Sequence, residues 1–198
     1  MSIDPRADIG HVHLKVADLD RSLAFYRDVL GFEVTQRHGD EAAFLSAGGY
    51  HHHLGLNTWE SRGGSPPPPG TTGLYHVAIR YPDRRTLADA FQRLVEARWP
   101  ITGATDHGVS EAIYLRDPDE NGIELYRDRP REEWPRPSDG AGVAMHNAPF
   151  DLEALLAEAG PRRSLATPTK EAGRASPVRP SNAPSWNRER LSAYRDSL

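Results

Sequence analysis

One motif is used twice in this chain. GHVHLKVADLDRSLAFYRDVLGFEV begins at Gly10, and YHVAIRYPDRRTLADAFQRLVEARWPI begins at Tyr75. Each opens with His-Val, alternates as a strand, passes an Asp, runs through an amphipathic helix and re-enters extended chain. The period is about 65 residues, which marks a duplicated supersecondary unit and not a solenoid. Between the copies lies SRGGSPPPPG at 61–70. Four prolines flanked by glycines cannot continue a strand or a helix, so this stretch is a linker.

The first copy predicts a strand at 9–16 and a helix at 20–30, then strands at 32–37, 41–47 and 51–58. The helix is expected to be capped by Asp18 or Asp20, to carry Leu23, Tyr26 and Leu30 on one face, and to stop at Gly31. The second copy predicts a strand at 74–81, a helix at 84–98, and strands at 101–105, 110–116 and 122–127. The turn DPDENG at 117–122 punctuates its last hairpin. Each unit reads βαβββ and the class is α+β. The expected division is one domain over 1–130, with units 9–60 and 73–130 and a linker at 61–72. An extension at 131–160 follows, with a short helix capped by Asp151. Residues 161–198 lack apolar periodicity and are expected to form a disordered basic tail.

The chain has no cysteine, so any metal ligands must be His or Asp/Glu. No apolar run approaches a membrane span, and MSIDPRADIG has neither the basic flank nor the apolar stretch of a signal peptide. A cytoplasmic protein is the expectation. The net charge is −4, yet residues 161–198 hold eight Arg/Lys against three Asp/Glu, which leaves about −9 on the first 160 residues. An acidic body argues against nucleic acid as the main partner.

Side chains alternate across a strand. In the first strand Val12, Leu14 and Val16 oppose His11, His13 and Lys15; in the second unit Val77 and Ile79 oppose His76 and Arg80. Further on, Ile113 and Leu115 oppose Tyr114 and Arg116, and Ile123 and Leu125 oppose Glu124 and Tyr126. In YHHHLGLNTW, at 50–59, Leu54 and Leu56 oppose His53, Gly55 and Asn57. A polar strand face is ordinarily just solvated. Here His11 and His76 occupy matching repeat positions and are joined by Glu124. Two histidines and one carboxylate from separate strands suit a divalent metal with open positions, an arrangement favoured by Fe(II) and open to Mn, Zn or Ni.

With these residues the chain resembles the vicinal oxygen chelate superfamily of glyoxalase I, fosfomycin- and bleomycin-resistance proteins and extradiol dioxygenases. The resemblance covers about 9–130 and rests on GHVHLKVADLDRSLAFYRDVLGF, LYHVAI and AIYLRDPDENGIELY. It implies paired βαβββ units forming a partly open barrel around one metal, with His11, His76 and Glu124 as ligands. Glyoxalase I adds a glutamate on the last strand of the first unit, where an ungapped alignment places His53. The catechol 2,3-dioxygenase branch instead keeps a non-ligating histidine followed three residues later by a small residue, as in His52 and Gly55. It also keeps a tyrosine ten residues before the glutamate, as in Tyr114, and a histidine further upstream, as in His107. Strict alternation turns His53 inward; the family spacing selects His52 as acid/base.

The resemblance therefore implies O₂-dependent ring cleavage of a catechol-like aromatic at Fe(II), with no nucleic-acid or membrane partner and with homodimer formation open. The rivals are a glyoxalase-like isomerase or lyase, a resistance-type thiol transferase, and a metal-free sequestering protein. Extradiol dioxygenases usually have four units, and this chain has two.

Overall fold

The computed structural model describes residues 2–160 and divides into two compact units, one running to Thr71 and the other beginning at Thr72. The tail expected at 161–198 lies outside the described residues. The first unit runs β1 (Val12–Lys15), α1 (Leu19–Tyr26), β2 (Glu33–His38), β3 (Ala42–Ser46) and β4 (Leu54–Asn57). The second runs β5 (Val77–Tyr81), α2 (Arg84–Glu96), β6 (Ile101–Asp106), β7 (Ser110–Arg116) and β8 (Gly122–Asp128). A 3₁₀ turn at Arg131–Glu133, the two-residue strand β9 (Ala148–Pro149) and α3 (Leu152–Ala157) complete it.

Both units are βαβββ and form mixed, unclosed sheets of four and five strands, ordered β1-β4-β3-β2 and β5-β8-β7-β6-β9. β1 runs parallel to β4 and β5 parallel to β8, whereas the remaining pairs are antiparallel. The helix makes the crossover that a parallel pair requires. The three-strand meander then returns its last strand to the side of the first.

Burial drives each unit. On α1, Leu19, Leu23 and Tyr26 sit four and three residues apart and are buried with Leu14, Leu45, Leu54 and Leu56 among the core residues. On α2, Leu87, Phe91 and Leu94 do the same, with Trp99, Ile113, Leu115, Ile123 and Leu125 also buried in this unit. Trp99 hides its ring and still donates its Nε1–H to the carbonyl of Arg116 at 2.9 Å. Phe91→Ala removes a ring that is 1 % exposed and is expected to cost about 3–5 kcal/mol, read from chemical denaturation.

Caps set where the helices begin. Asp18 accepts the amide of Arg21, so it is the cap of α1 and not Asp20. Asp83 and Thr86 form a reciprocal capping box on α2, and Asp151 accepts the amides of Glu153 and Ala154.

α1 ends four residues before the expected stop. Val29 and Leu30 both donate to the carbonyl of Phe25, and Gly31 turns the chain at φ +89°. Leu30 is buried without being helical, so its apolar character extends the helical pattern past the end of the helix. The first and last strands of the first unit are also shorter than expected. β4 starts at Leu54, and His51–His53 form a bend before it. Gly48 and Gly49 both take positive φ just upstream, and the Thr35 hydroxyl donates to the His51 carbonyl at 2.8 Å. That pins His51, and His53 joins the bend to the sheet through the Leu45 carbonyl and the Val12 amide.

Candidate active site

The polar face of the second unit carries one continuous chain of side chains. β8 places Glu124 directly beside Tyr114 on β7 and Ala78 on β5. His76 precedes β5 by one residue. Its Nε2 lies 2.9 Å from Glu124 Oε2. The Tyr114 hydroxyl is 3.1 Å from Glu124 Oε1 and 2.7 Å from His107 Nε2. His107 sits at the β6–β7 turn. Burial, followed by the negative charge of Glu124, pushes the Tyr114 hydroxyl well above its ordinary range. It stays protonated at any working pH, so it acts as a hydrogen-bond donor and not as a base.

This face is held from below. β8 approaches β5 so closely at Gly122 that a Cβ there would stand 2.0 Å from the Tyr75 carbonyl and 3.0 Å from the His76 Cα. Beside the chain lies Glu111, 4 % exposed, which accepts from Arg84 at 3.0 Å, Arg127 at 2.9 Å and Arg129 at 3.1 Å. Arg129 also holds Asp106 at 2.6 Å, the residue before His107. Glu111→Ala leaves these guanidinium groups without their shared anion and is expected to lower stability by about 3–5 kcal/mol, measured by denaturant titration.

The polar face of the first unit is a cluster of imidazole and aromatic rings. His11 and His52 have ring centroids 4.5 Å apart, and Phe44 stands 5.0 Å from His52 and 5.9 Å from His13. His51 Nδ1 lies 2.7 Å from His52 Nδ1, so one of those nitrogens must carry the proton. Partial burial and the neighbouring histidines, His11 first, press His52 toward its neutral form.

His53 goes elsewhere. Its Nδ1 meets the Ser46 hydroxyl at 3.2 Å and the Ala47 amide at 3.3 Å. Its backbone stays in step with the sheet, the amide donating to the Leu45 carbonyl at 2.8 Å and the carbonyl accepting the Val12 amide at 3.0 Å. The strand registers also correct the ungapped alignment. Val12 pairs with Leu54 and Val77 with Ile123. The first-unit counterpart of Glu124 is therefore Gly55, not His53. A Cβ at Gly55 would meet the His13 ring at 2.8 Å. The fourth carboxylate of the glyoxalase pattern is therefore absent at this position.

The second unit thus brings together His76, Glu124, Tyr114 and His107, and the first brings together His11 and His52. Neither unit by itself gathers three metal-type donors among its described residues. The donor chemistry nevertheless fits a divalent ion. His76 and Glu124 are already adjacent, and His76 Nδ1 is buried with no hydrogen-bond partner among the described residues. His146 also meets His107 through its backbone. A backbone role leaves no signature in side-chain type.

Two βαβββ units with histidines on matching polar strands define a class of proteins, and the chain belongs to it. A family model described as the Glyoxalase/Bleomycin resistance protein/Dioxygenase superfamily matches residues 8–125. Among curated relatives, the chain is 45% identical over 167 residues to "Catechol-2,3-dioxygenase" of Bacillus subtilis, covering 84% of this chain and 57% of that protein. It is 34% identical over 134 residues to "Biphenyl-2,3-diol 1,2-dioxygenase 3" of Rhodococcus globerulus, covering 65% of this chain and 66% of that one. The chain therefore spans less than two thirds of the length of either relative. A solved glyoxylase/bleomycin resistance protein/dioxygenase domain from Frankia sp. EAN1pec matches at a TM-score of 0.52 with 26% identity, over 62% of this chain and 98% of that one. No helix among the described residues is long and apolar enough to cross a membrane.

Proposed function

We propose that this protein is an extradiol dioxygenase that opens the ring of a catechol-like aromatic with O₂, at a divalent metal held by His11, His76 and Glu124. Fe(II) suits two imidazoles and one carboxylate with positions left open; Mn(II) is the nearest substitute. The observation that carries the reading is the chain His107–Tyr114–Glu124–His76, which sets a tyrosine donor and its histidine partner against two ligand-type groups. The names of the two curated relatives agree with it.

When bound, the metal supplies a positive centre that acidifies the diol hydroxyls and lets substrate and O₂ meet in one coordination sphere. The rest falls to side chains. Tyr114, held protonated, donates to a substrate oxygen and keeps the ring in one orientation. His52, favoured in its neutral form, accepts a diol proton and later returns one to the product. Phe44, packed against His52 and His13, offers a ring edge to an aromatic substrate.

The test is anaerobic loading with Fe(II) or Mn(II), followed by admission of O₂ to a panel of catechols. Ring-opened product with O₂ consumed in equal amount supports the proposal. No turnover of any catechol with either metal refutes it.

A further inference from the structure

We propose that the segment after β8 is a strap that fixes the His107 ring, and that His146 is a positioning residue acting through its backbone to hold the proton of His107 on Nδ1. This rests on the reading above, in which His107 and Tyr114 serve the reaction.

The strap is anchored on both sides of His146. Upstream, Trp134 Nε1 donates to the Arg129 carbonyl at 2.8 Å, and the Ala144 amide donates to the Pro135 carbonyl at 2.8 Å. Downstream, β9 pairs with β6 through Thr105↔Pro149 and Asp106↔Ala148. Phe150, Leu152 and Leu155 are then buried, Arg84 pairs with Glu158, and the Gly160 amide donates to Asp89 at 2.7 Å. His107 lies where these anchors converge. Gly108 turns the chain at φ +75°, and a Cβ there would stand 2.4 Å from Cε1 of His146 and 3.0 Å from Pro135. Only glycine lets the strap lie this close.

Two backbone contacts then act on His107. The His146 amide donates to the His107 carbonyl at 3.2 Å, and the His146 carbonyl lies 3.2 Å from His107 Nδ1. A carbonyl can only accept, so Nδ1 must donate. A neutral imidazole carries one N–H. Nε2 is therefore the acceptor that faces the Tyr114 hydroxyl at 2.7 Å. The other tautomer would set a ring lone pair against the His146 carbonyl. The strap thus decides the direction of the hydrogen bond at Tyr114. With Nε2 bare, the single hydroxyl proton is contested by His107 Nε2 at 2.7 Å and Glu124 Oε1 at 3.1 Å, and a substrate oxygen takes it by displacing one of these two. A strap that merely covered the β6 edge would have no effect on the ring's tautomer.

The experiment uses the full chain with ¹⁵N-labelled histidine, His107 being assigned from the signal lost in His107→Asn. The ¹⁵N shifts of the ring are read above its titration. The wild type should show a protonated Nδ1 and a bare Nε2. His146→Pro removes the amide that docks the strap on His107, and Phe150→Ala loosens the downstream anchor. In whichever of these keeps the wild-type circular dichroism, the tautomers should mix. With Fe(II) loaded, kcat should fall about tenfold or more with a smaller change in KM, the scale at which partners behind functional histidines act. His146→Ala, which restores the backbone donor, should recover most of the loss relative to His146→Pro. A protonated Nε2 in the wild type overturns the proposal, as does an unmixed Nδ1–H tautomer with unchanged kcat in a folded variant. A wild type that cleaves no catechol refutes the dioxygenase reading alone, and the ring shifts still decide the lock.

Discussion

A Glu124→Ala variant is expected to lose its bound divalent ion and keep its fold. Glu124 stands on the polar face of β8, between Ile123 and Leu125, which are fully buried on the other side. The core therefore does not depend on it. Its carboxylate makes two contacts, to His76 at 2.9 Å and to Tyr114 at 3.1 Å. Removing it leaves two donors that can turn to water, at a cost on the order of 1–3 kcal/mol. The proposed metal would lose its one anionic ligand and with it most of the charge that offsets dehydration of the ion. Glu124→Gln separates charge from shape, since it keeps the hydrogen-bonding frame and should also lose the ion. Elemental analysis of the purified protein reads the ion content, and circular dichroism with a melting curve reads the fold. A Glu124→Ala protein that holds a stoichiometric ion would remove Glu124 from the proposed ligand set.

Legibility in the sequence followed the strength of the local pattern. β7 falls at the expected 110–116 because alternation over seven residues and the DPDENG turn agree; Asp117 there accepts the amides of Asp119 and Asn121 at 2.8 Å each. The contacts of His76, Glu124 and Tyr114 follow from strand alternation plus the spacing of that hairpin. Three features did not show. β9 is two residues long and contains Pro149, so it carries no period at all. The bend at His51–His53 looks like a strand start because three like residues give no alternation to break. The register of a parallel pair is set by the crossover helix and not by neighbours in sequence. Gly55, and not His53, therefore emerges opposite the position of Glu124 only once Val12↔Leu54 and Val77↔Ile123 are known.

The proposed roles of the two neighbouring histidines differ. His52→Gln is expected to lower turnover by about 10²-fold or more at unchanged metal content, the range in which a general acid/base contributes. The glutamine keeps much of the size and one donor but cannot exchange a proton near neutrality. His52 is suited to the task by its setting. Its ring lies against His11 and Phe44, and partial burial with the surrounding imidazoles favours the neutral, proton-accepting form. The sign follows from that direction. Because the ring's affinity for protons is lowered, activity limited by its neutral form should persist to lower pH than a free histidine would allow, and His52→Gln should erase that acidic limb of the profile. His53→Gln should behave differently. His53 is tied to Ser46 and Ala47, so its loss should slacken the bend that carries His52, with a several-fold effect at most and the acidic limb retained. Steady-state kinetics across pH on the metal-loaded proteins reads both variants. Should His53→Gln take the large loss and His52→Gln the small one, the proton transfer belongs to His53. The ring contacts of His52 with His11 and Phe44 would then serve packing alone.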